Sequence, residues 1–94
     1  MATLHAEFSV GDYDQWKGFF DSDPAGRQAG GVRSYRISRG VRDSNHVMLD
    51  LVFDDAATAE TFLAALRPVW ASAPPGSIHN ADGVVVETAE EVDF

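Results

Sequence analysis

Residues 3–10, TLHAEFSV, and residues 46–53, HVMLDLVF, alternate apolar and polar side chains, and an acid-started amphipathic run follows each. Leu4, Ala6, Phe8 and Val10 share one phase of the first stretch; Val47, Leu49, Leu51 and Phe53 share one phase of the second. A period of two is the mark of a strand with one buried face. The runs that follow, about 12–21 and from about 55, carry apolar residues at helical spacing. Residues 32–39 read as a strand paired with 46–53 across the polar loop Gly40–Asn45, and a last strand is expected near 84–89. The order is βαββαβ, the ferredoxin-like α+β plan: an antiparallel four-stranded sheet, order 4-1-3-2, with both helices on one face.

Each helix has a start signal. Asp12 is placed to cap the first, with Gln15 three residues on and Asp14 in the first turn. Tyr13, Trp16, Phe19 and Phe20 then form an aromatic stripe, and Pro24 requires the helix to end by about residue 22. The connection 24–31 is expected to be irregular, with a helical turn around Arg27 and Gln28. Asp54 or Asp55 caps the second helix, whose stripe is Ala59, Phe62, Leu63, Leu66 and Trp70; Pro68 is expected to kink it or to start a new short turn. Residues 72–82, with Pro74-Pro75-Gly76, read as the longest loop, a candidate lid or rim.

At 94 residues the chain is expected to be one domain, 1–94, with a core of marginal size. It has no cysteine, which removes disulfides and thiolate chemistry and suits a reducing compartment. With no basic leader and no apolar run of membrane-spanning length, a soluble cytoplasmic protein is expected. A net charge of −8 argues against nucleic acid and anionic membrane as partners. The arginines at 33, 36, 39 and 42 do not form one stripe, because residues three apart in a strand face opposite ways. They are expected to offset the surplus carboxylates, with an anion site as the alternative.

The phase holding Leu4, Ala6, Phe8, Tyr35, Ile37, Val47, Leu49, Leu51, Val84 and Val86 is expected to face the helices. The opposite phase holds His5, Glu7, Ser34, Arg36, Met48, Asp50, Val52, Val85 and Glu87. That second face is too apolar for a purely solvated surface and too charged for a core, which predicts a homodimer packed sheet to sheet.

DYDQWKGFFDSDPAGRQAGGVRSYRI (12–37) and DSNHVMLDLVFDDAATAETFLAALRPVW (43–70) resemble small actinobacterial proteins labelled as cyclases, within the dimeric α/β-barrel superfamily that also holds the antibiotic-biosynthesis monooxygenases. The resemblance implies two facing sheets in a dimer and a ligand pocket between sheet and helices in each subunit. It spans cofactor-independent oxygenases, polyketide cyclases, isomerases, haem-degrading enzymes and proteins without known activity, so it implies a fold and not a reaction.

The pocket is expected to be walled by Tyr13, Trp16, Phe20, Tyr35, Phe62 and Trp70, with Trp16, Phe20, Phe62 and Trp70 binding a small apolar or aromatic ligand. An ordinary aromatic core is the alternative. His46, at the start of the third strand, is the candidate proton acceptor. Asn45 and Tyr35 are the candidate polar groups that stabilise an enolate. His5, Glu7, Asp50 and Glu87, with Arg36 as counterion, read as a salt-bridge network across strands and subunits, and no metal site is expected. Trp70 and His79 resemble the pairing of haem-degrading relatives, but His79 falls in the expected loop, and no cofactor is expected. Two functions follow. One is an enzyme acting on an aromatic or polyketide-like substrate, as a cofactor-independent monooxygenase or a cyclase/isomerase. The other is a non-catalytic ligand-binding or structural homodimer.

Overall fold

A computed structural model describes residues 1–74 and 76–94, so Pro75 of the expected lid lies outside the described residues. The elements run β1 (Ala2–Val10), α1 (Tyr13–Asp21), β2 (Ser34–Arg39), β3 (His46–Phe53), α2 (Ala56–Ala71) and β4 (Ile78–Glu87). The sheet order is β2-β3-β1-β4 with every neighbouring pair antiparallel, the order read from the sequence.

The central pair fixes the layers. β1 meets β3 with Leu4 opposite Leu51, Ala6 opposite Leu49 and Phe8 opposite Val47, so both apolar phases land on one face. All six are buried, as are Phe53 of β3, Trp16 of α1, and Ala59, Phe62, Leu63 and Leu66 of α2. Phe53 and Phe62 bring their ring centroids to 5.5 Å, joining sheet to helix. The connection from α1 to β2 passes close to that pair. A Cβ at Gly30 would clash with the Phe62 ring, so a side chain there would force that buried ring to move.

The helix starts follow their caps. Asp12 Oδ1 accepts the Gln15 amide at 3.1 Å, and Asp55 Oδ1 accepts the Thr58 amide at 2.7 Å. Asp54 is taken instead by Arg33, at 2.6 Å to Nη2. At the end of α1, Asp23 adopts φ 56°, in the left-handed region that stops a helix. Pro68 does not break α2, which continues to Ala71: with so few residues left, one lost backbone bond is tolerated near the frayed end.

The last strand departs from the sequence reading in length and in phase. It begins at Ile78, so the region 72–82 is only partly loop and His79 lies in a strand. Val10 pairs with Ile78 and Ser9 with His79, but Glu7 pairs with Asp82, so an extra residue is accommodated opposite Phe8. Asn80 takes φ 58° at this bulge, a conformation asparagine tolerates better than most residues. The bulge resets the alternation. Val85 packs towards the core opposite Leu4, while Val84 and Val86 emerge on the other face, 54% and 44% exposed. Glu87 is opposite Ala2, in the helix-facing phase, and so leaves the carboxylate group expected around His5. Among the described residues no helix is long and apolar enough to cross a membrane.

Asp12→Ala should lower stability by about 0.5–2 kcal/mol through loss of its cap on the Gln15 amide. Denaturant unfolding checks this, and an unchanged midpoint would show that the Asp12 bond contributes nothing.

Candidate functional site

The space between the helices and the sheet is a partly enclosed apolar cavity. Its walls include Trp16 and Phe20 of α1, Leu49 and Leu51 of β3, and Phe62 and Trp70 of α2, with the Asp23–Arg27 segment closing one side. The walls have nearly met: the void available to a water-sized molecule is only about 40 Å³. Ring centroids lie 5.3 Å apart for Phe8 and Trp16, 5.2 Å for Trp16 and Phe20, and 6.5 Å for Phe8 and Trp70. These are tilted aromatic contacts at ordinary packing distance. A planar ring enters only if the side chains at the mouth move.

All four rings expected to bind a ligand, Trp16, Phe20, Phe62 and Trp70, are in this wall. Tyr13 and Tyr35 stand just outside it. Tyr35 sits on the edge strand, 46% exposed, with its ring edge-on to Phe20 at 5.2 Å. His46 and Asn45 are elsewhere. Ser9 pairs with His46 while Phe8 pairs with Val47, so strand alternation sends His46 to the open face of the sheet, away from the rings. Asn45 is exposed in the hairpin loop, its amide bonded to Asp43 and its carbonyl accepting from Val10. The cavity and the expected proton acceptor are thus on opposite sides of the sheet.

Two charged residues reach the cavity, Asp23 and Arg27, both in the connection after α1. Asp23 Oδ1 accepts from the Arg27 backbone amide at 2.8 Å and lies 3.2 Å from its Nε. The guanidinium carbon stands 4.0 Å from the Phe20 ring centroid and 5.1 Å from that of Tyr35, a cation held between two aromatic faces. The side chain is only 20% exposed. The Asp23/Arg27 spacing in a segment ending the first helix was the one sequence signal for it.

On the open face, four side chains form a line of contacts. Asp50 Oδ1 is 2.7 Å from His5 Nδ1, His5 Nε2 is 3.4 Å from Glu7 Oε2, and Glu7 Oε1 is 2.8 Å from His46 Nε2. The hydrogen bond to Asp50 holds the His5 imidazole above its usual value, against the opposing pull of partial burial. The bonds from His46 and then His5 hold the Glu7 carboxyl below the ordinary carboxylate value. His5 therefore occupies Asp50, the place expected for Arg36. Among the described residues no group of three or more histidine and carboxylate side chains is arranged to hold a metal ion. Of the clustered arginines, Arg33 pairs with Asp54, whereas Arg39 stacks on Tyr13 at 3.8 Å.

No family model matches the sequence, and no curated protein matches it. Solved structures do match the fold. A candidate antibiotic biosynthesis monooxygenase from Deinococcus radiodurans superposes with a TM-score of 0.67 at 16% identity, over 100% of this chain and 98% of its own. A variant of MhuD, with two manganese protoporphyrin IX molecules bound per active site, gives 0.67 at 12% identity over 100% of both chains. Rv0793 from Mycobacterium tuberculosis gives 0.66 at 11% identity, over 99% of this chain and 100% of its own. At these identities the likeness is one of fold. The resemblance carried by residues 12–37 and 43–70 thus holds as a common architecture: the chain shares, end to end, the βαββαβ framework of these proteins.

Proposed function

We propose that this protein is a single-domain homodimer that binds a planar aromatic or polyketide-like molecule between sheet and helices, and that it oxygenates this molecule without a cofactor. The observation that carries the reading is the aromatic-walled cavity on a framework shared with a monooxygenase-named structure. In such chemistry an electron-rich ring anion gives electrons to oxygen; one oxygen atom stays on carbon and the other leaves as water. The protein supplies a dry, apolar enclosure and a fixed charge near the ring, here Arg27. A haem-type ligand fits less well. Among the described residues the cavity wall contains no histidine, cysteine, tyrosine or methionine to ligate iron, and His79 lies across the sheet.

The position of His46 favours a second reading, a non-catalytic ligand-binding dimer, since a proton acceptor on the far face of the sheet has no path to the ring. Oxygen uptake separates the two readings. With a naphthol as probe, an oxygenase consumes oxygen in proportion to protein, and a binding protein only shifts the probe's spectrum.

Sheet-to-sheet dimerisation is supported by the open face. Val84 and Val86 are among its exposed apolar residues, and Val52 and Met48 lie between them and the edge strand. Asp50, His5, Glu7 and His46 already satisfy one another there, which lowers the cost of taking them out of water.

Three outcomes are expected. A neutral ring such as 2-methylnaphthalene should quench Trp16 and Trp70 fluorescence saturably, and His46→Ala should leave that binding unchanged; no saturable quenching would remove the cavity as a ligand site. Light scattering at micromolar concentration should give twice the monomer mass, and a stable monomer would exclude the dimer. His5 should titrate above an ordinary imidazole, and Asp50→Asn should bring it down, as read by proton NMR. Because its folded value is raised, the ionic stabilisation is complete below the unfolded value and fades as pH rises through the folded one. The loss of melting temperature in Asp50→Asn should therefore be largest in mildly acidic buffer and smaller at alkaline pH.

A further inference from the structure

Arg27 is over-restrained for a surface arginine and under-satisfied for a buried one. Two left-handed positions, Asp23 at φ 56° and Gly26 at φ 70°, fold the segment back so that the Asp23 carboxylate meets both the Arg27 amide and Nε. Phe20 and Tyr35 then flank the guanidinium. These contacts fix the plane of the group and occupy its inner edge. Its Nη1 is nevertheless buried, and among the described residues it has no acceptor within hydrogen-bonding reach. A buried donor left unpaired is costly, and more so when charged. No other polar side-chain atom among the described residues is left in this state, and Arg27 belongs to the cavity wall.

We infer that Arg27 is the recognition element for an acidic oxygen on the edge of the ring ligand, a carboxylate, phenolate or enolate, which accepts from Nη1 while the ring itself lies among Trp16, Phe20, Phe62 and Trp70. This rests on the ligand reading above and narrows it to anionic aromatic compounds. The Asp23 carboxylate does not oppose such a ligand as a free charge would, because it is already committed to Arg27. A charge-assisted bond in an apolar surround is stronger than one between neutral partners, so the site should discriminate against rings that lack the anion. The held cation would also stabilise the ring anion that passes electrons to oxygen.

The test compares three probes of similar shape on the full chain by tryptophan quenching at neutral pH: 2-naphthoate, 2-acetylnaphthalene and 2-methylnaphthalene. The expected order is naphthoate tightest, by about tenfold or more over the methyl compound, with the neutral ketone between. Arg27→Met, which keeps an apolar stem beside Phe20, should abolish the preference and retain binding of 2-methylnaphthalene. Arg27→Lys, which keeps the charge and loses the fork, should retain part of it. The inference is overturned if the wild type binds all three alike, if the ketone equals the carboxylate, or if Arg27→Met keeps the preference while its melting curve shows a folded protein. Should Arg27→Met fail to fold, the wild-type order and the lysine variant decide. Binding of none of the probes would overturn the cavity as a ligand site, and this inference with it; equal binding of all three would spare the cavity and overturn only the role of Arg27.

Discussion

The pairing of β1 with β3 is the constraint on which everything else rests. These are the two inner strands, and their register puts Leu4, Ala6 and Phe8 beside Leu51, Leu49 and Val47. Because successive side chains alternate, this one register assigns both surfaces at once. The same pairing that buries the core lines up His5 with Asp50 and Glu7 with Met48 on the other side. A slip of one residue would turn one of the two strands over and place a histidine and a carboxylate, His5 and Glu7 or His46 and Asp50, under the helices, at a cost no arrangement of rings offsets. Cavity and open face are thus consequences of a single choice, and neither can be altered independently of it.

Much of this was legible because the informative residues are local. Alternation at 3–10 and 46–53 identified the inner strands, and aspartates marked both helix starts. The choice between Asp54 and Asp55 was not legible, since it depends on Arg33 claiming the former from another element. The phase of β4 was illegible for a similar reason. VVV at 84–86 has no alternation of its own, and the bulge at Asn80 that sets its facing is imposed by pairing with β1. Ile78 and His79 likewise carry no strand pattern and are extended because Val10 and Ser9 hold them there.

The candidate site divided along the same line. Four rings on two helices could be brought together from helical spacing alone, and they are together. His46 was drawn towards them by its place at a strand end, where the side of the sheet is decided by parity and not by proximity in sequence. Counting from Val47, which is buried, would have put it on the opposite face. Beyond its spacing from Asp23, nothing in residues 24–31 marks Arg27 as a wall of the cavity, because no periodicity governs that segment. Its position depends on backbone turns at Asp23 and Gly26 that become visible only once the chain is folded.

The bulge at Asn80 divides β4 into two segments with separate obligations. Downstream, Gly83 packs closely on the core: a Cβ there would sit 3.1 Å from both Leu4 and Leu63, so a side chain requires those leucines to give way slightly. Upstream, Ile78 and His79 pair with the end of β1, and Ile78 packs at the edge of the core. Within this part of the chain, a change in length is therefore better tolerated before residue 80 than after it. There the connection from α2 can lengthen or shorten, reshaping the rim beside Trp70, while the sheet that carries the fold keeps its count.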